Sequence, residues 1–283
     1  LTVFLKTAPF LGAKEPGRAA RVALFGCPYD GTASYRAGAR FGPNAIREAS
    51  QVLETYDPRL QCDIADASFC DLGDVEFSPG DKADALSRIE KAAKEVLAAG
   101  QIPAALGGEH LILLPLFRAV FDRFPDVRLV LFDAHLDLRD QYLGDNLSHA
   151  TVTRRVADFL HPSRILLVGA RSGTLEEFQF AQELRLVTPG KGGEELRNWV
   201  ANDPLYVSVD LDVLDPSIFP ATGTPEPGGM TFNEIESNLL EFRGKKIVGW
   251  DVVELAPHWD PSNVSSVVAA KVVRSLLGLT AIC

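Results

Sequence analysis

Four short runs of this chain are predominantly apolar, with no regular polar alternation: Val127–Phe132, Arg164–Val168, Leu205–Val209 and Lys246–Val253. A strand with one wet face alternates apolar and polar residues, whereas a strand covered on both faces reads as a continuous apolar run. Between these runs lie longer segments with helical periodicity. The clearest is Lys82–Ala99, with Leu86, Ile89, Ala93, Val96 and Leu97 on one face and Gly100 as its stop. Strands that alternate with helices in this way predict an α/β chain: a mostly parallel sheet with helices packed on both sides.

The remaining elements follow the same logic. Ile102–Leu106 is a short strand candidate, and Leu111–Phe124, Thr151–Leu160, Leu175–Leu184, Glu194–Ala201, Phe232–Phe242 and Val264–Leu277 are helix candidates. The Gly- and Pro-rich segments Gly26–Pro43 and Phe219–Gly229 read as long ordered loops, which beside a parallel sheet often carry function. Neither an internal repeat nor a linker-like composition shift divides the 283 residues, so one domain spanning 1–283 is expected.

Composition narrows the partners. A net charge of −10 argues against nucleic acid, which needs a basic face, and mildly suits a small cationic substrate. No apolar stretch is read as reaching the roughly 18–20 residues that span a bilayer, so no membrane partner is expected. Cys27, Cys62, Cys70 and Cys283 lack C-x-x-C spacing, and the first residues do not read as an export signal. Free thiols and a cytoplasmic location are therefore expected.

The unusual residues stand where strands end, the edge at which open parallel sheets bind ligands. Asp133, His135 and Asp137 directly follow Val127–Phe132, and Asp210 and Asp212 follow Leu205–Val209. In extended chain, residues two apart share a face. Three same-face ionisable groups at the end of a buried strand would repel and lose hydration unless a cation neutralised them. His110 follows the Gly107-Gly108 turn, whose tight path can aim the imidazole inward. Four carboxylates balance two divalent cations, and six side chains exceed the needs of one tetrahedral zinc. Oxygen-rich donors with two imidazoles and no cysteine suit Mn²⁺, and paired metals activate water for hydrolysis. Asp215, before Pro216, reads instead as a turn residue.

The segments GGEH (107–110), DAHLD (133–137), SVDLDVLDPS (208–217) and DVVELAP (251–257) resemble the ureohydrolase family of arginase and agmatinase, in its order and spacing. The stretches 26–50 and 221–231 resemble agmatinases in particular, so the likeness covers nearly the whole chain. It implies a three-layer α/β/α sandwich on a mostly parallel, eight-stranded sheet, assembled as homo-oligomeric trimers or hexamers. It also implies two Mn²⁺ ions. One takes His110, Asp133, Asp137 and Asp210; the other takes His135, Asp133, Asp210 and Asp212, with Asp133 and Asp210 bridging. A hydroxide attacks the guanidinium carbon and the products are urea and an amine. Glu254 matches the glutamate that pairs with the guanidinium, and His149 matches a histidine that shuttles a proton to the leaving amine.

The expected reaction is agmatine plus water giving putrescine and urea, a step of polyamine biosynthesis. Guanidinobutyrate, arginine and formiminoglutamate are the alternative substrates, and Arg139, Arg154 and Arg155 are candidate partners for a carboxylate tail. Arg139, Asp140, Asp145 and Asn146 are candidates for the far end of any substrate. Glu109, Leu111 and Leu136 depart from the commonest family pattern, and the two leucines are expected to alter hydrogen bonding near the site. A dinuclear phosphoesterase would share the metals but needs a histidine-rich set with a G-N-H-type turn, which is missing here. A non-catalytic binding member would normally lose ligands, and all six are present.

Overall fold

The computed structural model describes the chain except residues 1, 18, 79, 185, 187–192 and 283. Among the described residues, ten strands occur in chain order: β1 (Phe4–Leu5), β2 (Val22–Cys27), β3 (Tyr56–Asp57), β4 (Cys62–Asp63), β5 (Phe69–Val75), β6 (Ile102–Gly107), β7 (Arg128–Phe132), β8 (Ile165–Val168), β9 (Leu205–Asp210) and β10 (Ile247–Val253). The helices are α1 (Gly42–Ser50), α2 (Lys82–Ala98), α3 (Leu113–Arg123), α4 (Val152–Ala157), α5 (Leu175–Glu183), α6 (Glu194–Val200), α7 (Phe232–Leu240) and α8 (Val264–Ala281). Eight strands form one sheet in the order β1-β5-β2-β6-β10-β9-β7-β8, parallel except for β1, which runs antiparallel to β5. The remaining two, β3 and β4, pair as a small hairpin.

The continuous apolar runs have the predicted cause. Alternate residues of each central strand feed two separate cores, one on each face of the sheet. Val130 and Phe132 of β7 join Val207 and Val209 of β9 against Ile46 of α1, Leu239 of α7 and Leu276 of α8. Their neighbours Leu129 and Leu131 face the other core, with Ile89 of α2, Phe117 of α3 and Val156 of α4. The result is the expected three-layer α/β/α arrangement.

Several expectations are corrected. The segment Gly26–Pro43 is not all loop: Gly26 and Cys27 complete β2, and Gly42 and Pro43 open α1, with proline in the first turn where it loses no hydrogen bond. The strand β5 escaped sequence reading because its run FCDLGDV carries two aspartates. Both are paired with Arg47 of α1, a fully buried guanidinium whose Nε and Nη2 each lie 2.9 Å from Asp71 and whose Nη1 lies 2.5 Å from Asp74. The helix α8 is longer than expected, and its 18 residues are long and apolar enough to cross a bilayer. It is a core helix instead, with 78% of it buried against the rest of the chain. Cys27, Cys62 and Cys70 are buried and, among the described residues, form no disulfide; Cys283 lies outside the described residues.

Candidate metal centre

The strands β6, β7, β9 and β10 are neighbours, so their carboxyl ends bring four distant sequence segments to one point on the sheet edge. At the end of β6 the chain turns through Gly107-Gly108. A Cβ on Gly108 would sit 1.8 Å from the carbonyl oxygen of Tyr29, so only glycine lets the two backbones pass. The turn delivers His110 to the first position of a short 3-10 turn, His110–Ile112, with its side chain fully buried.

His110 Nδ1 lies 3.0 Å from Asp133 Oδ2, 3.3 Å from Asp137 Oδ2 and 3.3 Å from Asp210 Oδ2. His135 Nδ1 lies 2.9 Å from Asp212 Oδ2 and 3.7 Å from Asp133 Oδ1. Two groups of ligand atoms therefore form, His110–Asp133–Asp210 and Asp133–His135–Asp212, and Asp133 belongs to both. All six predicted ligands converge. They do not do so by sharing a face of extended chain, as the sequence suggested. The strand β7 ends at Phe132, and Asp137 turns inward through a left-handed backbone with φ of 51°. Asp212 lies in a 3-10 turn after β9 and donates its N–H to Asp210 Oδ1 at 2.9 Å.

The electrostatics identify what such a cluster needs. Burial pushes the Asp210 carboxyl well above its ordinary range, and the charges of Asp212 and Asp133 add to the rise. Burial, with the charge of Asp133, lifts Asp137 to about 7. Burial alone would lower His110, but hydrogen bonding and charge from Asp133 and Asp137 win, so a proton settles on it when no other cation is present. With the ring hydrogen on Nε2 alone, His110 Nδ1 and Asp133 Oδ2 are two buried acceptors 3.0 Å apart without a hydrogen-bond partner. Buried acceptors that face one another unpaired are costly, and a divalent cation removes that cost. The donor set therefore fits a metal.

A second set of contacts holds His110 in place. Tyr206 donates its hydroxyl to Asp251 Oδ2 at 2.7 Å, and Ser208 donates to Asp251 Oδ1 at 2.6 Å. Ser208 Oγ, its proton spent on Asp251, lies 3.1 Å from His110 Nε2 and accepts the ring N–H. That chain fixes the tautomer and turns the Nδ1 lone pair toward the carboxylates. Asp251 is fully buried. Sequence reading passed over it although it opens DVVELAP, because a strand-interior aspartate carries no visible ligand pattern.

The cluster floors a cavity of about 240 Å³, lined also by His149, Glu254, Arg139, Tyr142 and Glu177. Glu254 follows β10 with φ of 68°, a conformation rare outside glycine that is tolerated where function demands it. Burial, then the charge of Glu109, raises its carboxyl well above the usual range. His149 stands 5.6 Å from Tyr142, ring to ring and edge-on. Burial, with the nearby His110 and His135 charges, pushes it down to about 4.

At the outer end, Arg139 Nε lies 3.5 Å from Glu177 Oε2 and its guanidinium covers the Tyr142 ring at 4.9 Å. Of the three arginines proposed for a carboxylate tail, Arg139 alone lines the cavity. Arg154 stacks on Phe180 at 3.8 Å, and Arg155 pairs with Asp140 and Asp158. Asp145 pairs with Lys82, and Asn146 accepts from Thr151, so neither lines the cavity wall. Leu111 and Leu136 are fully buried in the core beneath the site, and neither lines the cavity. Asp215 is the turn residue expected, accepting from the N–H groups of Ser217, Gly228 and Gly229.

Residues 20–278 match the sequence profile of the Arginase family. An agmatinase of Bacillus anthracis is 39% identical over 97% of this chain and 95% of its own length. A guanidinopropionase of Pseudomonas aeruginosa is 38% identical over 93% of this chain and 87% of its own. Among solved structures, the agmatine ureohydrolase of Thermoplasma volcanium superposes with a TM-score of 0.86 at 33% identity, covering 98% of this chain and 95% of the other.

Proposed function

Because this chain belongs to the arginase family, we propose that it is a binuclear manganese hydrolase that cleaves agmatine to putrescine and urea. The observation that carries this reading is the convergence of His110, His135 and four aspartates at the base of one cavity, where all but Asp133 reach its surface, with Glu254 and His149 on its walls. In this proposal His110, Asp133, Asp137 and Asp210 hold one ion, and His135, Asp133, Asp210 and Asp212 hold the other. Asp133 and Asp210 are shared. Two bound Mn²⁺ ions would supply a hydroxide nucleophile near neutral pH by lowering the pKa of water.

The chain's own residues do the rest. The Glu254 carboxylate faces the guanidinium, for which two parallel N–H···O bonds are the matching geometry. Its burial keeps water from competing for those bonds. His149, a neutral imidazole on the cavity wall, takes up the proton that the added hydroxyl releases and passes it to the departing amine. The Arg139–Glu177 pair at the outer end is close to neutral, which tolerates a cationic tail. The same proposal takes 1–283 as one domain, working in the cytoplasm as a trimer or hexamer.

A second reading has its own support. Arg139 is a cation on the cavity wall and a 38% identical relative is a guanidinopropionase, so a guanidino acid with a carboxylate tail is the alternative substrate. The deciding experiment is product release from agmatine, arginine, guanidinobutyrate, guanidinopropionate and formiminoglutamate, each with Mn²⁺ and with EDTA. Agmatine is expected to give the highest kcat/KM, and EDTA to abolish it. Preference for a guanidino acid would establish the second reading, and no turnover of any compound with Mn²⁺ bound would sink both.

A further inference from the structure

Glu109 and Thr32 lie behind the cavity wall, outside both groups of ligand atoms. Glu109 is 1% exposed, follows the Gly107-Gly108 turn, and has both carboxylate oxygens engaged. Its Oε2 accepts the Thr32 main-chain N–H at 2.8 Å, and its Oε1 accepts the Thr32 hydroxyl at 2.5 Å. Glu109 N in turn donates to the carbonyl of Tyr29 at 2.7 Å, so the segment 29–32 is clamped to the turn from both sides.

A threonine hydroxyl has one proton and two lone pairs. With Glu109 ionised, the form that its two hydrogen bonds from Thr32 favour, that proton goes to Glu109 and Thr32 Oγ1 meets any further neighbour only as an acceptor. The neighbour is His149: its main-chain N–H reaches Thr32 Oγ1 at 3.1 Å, and its ring Nδ1 lies 3.2 Å from the same oxygen. An unprotonated Nδ1 would set lone pair against lone pair, so Nδ1 must carry the hydrogen. The remaining ring nitrogen, Nε2, is then the basic one and is left for the cavity.

We propose that Glu109, acting through Thr32, is a positioning residue that fixes the tautomer and ring orientation of His149 so that Nε2 exchanges protons with the substrate. The functional half of the proposal rests on the hydrolase reading above; the tautomer itself does not. Glu109 thus has a role distinct from the ligand role of its neighbour His110: it braces the proton-carrying wall of the cavity, and His110 serves the floor.

The test has two arms. Long-range ¹H–¹⁵N correlation of the imidazole, in protein freed of paramagnetic metal, should report His149 with its hydrogen on Nδ1 in the wild type. Thr32→Val, which keeps the shape and loses the hydroxyl, should abolish that preference. In Mn²⁺-loaded enzyme it should lower kcat at least tenfold, with KM and metal content within twofold of wild type. Thr32→Ser, which keeps the hydroxyl, should restore both the tautomer and most of the kcat. A wild-type His149 protonated on Nε2 would overturn the proposal, even if Thr32→Val failed to fold. So would Thr32→Val with unchanged kcat, or Thr32→Ser as impaired as Thr32→Val. Absence of turnover in the wild type, with the Nδ1–H tautomer present, would fault the substrate reading and leave the positioning arrangement standing.

Discussion

The main-chain N–H of His110 donates to Glu254 Oε1 at 2.8 Å, a bond between residues 144 positions apart that joins the end of β6 to the end of β10. It ties the proposed guanidinium-binding carboxylate to the backbone of a proposed metal ligand. Glu254→Gln retains an acceptor for that N–H and removes the negative charge. Guanidinium binding should weaken by about 2 kcal/mol, roughly thirtyfold in kcat/KM, as for loss of a charged hydrogen bond. Steady-state kinetics beside metal analysis checks this; wild-type kcat and KM together would remove Glu254 from substrate binding.

Asp133 is shared between the two groups of ligand atoms, so its loss should strike both ions. Asp133→Asn is expected to lower bound manganese below two per chain and reduce turnover to near background. Retained activity with two ions bound would falsify its bridging role. Asp210→Asn tests the other proposed bridge by the same metal count.

The buried Asp251 should act on the metal without touching it. Asp251→Asn replaces an obligate acceptor with a group that can donate, so Ser208 is no longer compelled to accept from His110 Nε2. Support of this kind typically alters metal affinity about 10–100-fold. A calorimetric titration of Mn²⁺ into the metal-free variant measures it. Unchanged affinity would mean that packing alone orients His110.

A stability prediction concerns the start of α8. Asp260 Oδ2 accepts the Ser265 N–H at 2.8 Å, one of the orphan donors of the first helical turn, and Oδ1 accepts the Ser262 N–H at 3.0 Å. Burial alone would raise this carboxyl, but the hydrogen bonds from Ser262 and Ser265 outweigh it and hold the pKa at about 2. A folded pKa below the unfolded one stabilises the fold above about pH 4, and that share is lost as pH falls toward 2. Asp260→Ala should cost about 1 kcal/mol at neutral pH, as for loss of a helix cap. The deficit should close in acid; urea melts at pH 7 and pH 3 would compare the two, and a deficit constant with pH would refute the assignment.

Much of the fold was legible because its cause is local. A strand buried on both faces is apolar along most of its length, so β7, β8, β9 and β10 announced themselves, and α2 did so by its 3.6-residue stripe. By contrast, β5 was hidden because its aspartates are paired with Arg47, a residue more than twenty positions away on α1. No local rule reports a long-range ion pair. The last two residues of β2, Gly26 and Cys27, were hidden for a different reason: they open a glycine-rich stretch that reads as loop.

The residue types and spacing in the sequence by themselves determined the continuous apolar runs, the ligands gathered at strand ends and the balance of four carboxylates against two divalent charges. These depend on charge repulsion and burial, which a strand-end cluster carries wherever it sits. Only the tertiary structure decided how the ligands meet. Asp137 and Glu254 take left-handed backbone conformations, and Asp212 leaves the strand in a 3-10 turn, because the surrounding packing overrides their local preference. It alone also decided which side chains orient the histidines. Ser208 and Asp251 serve His110, and Thr32 and Glu109 serve His149, through contacts between segments that only the strand order of the sheet brings together.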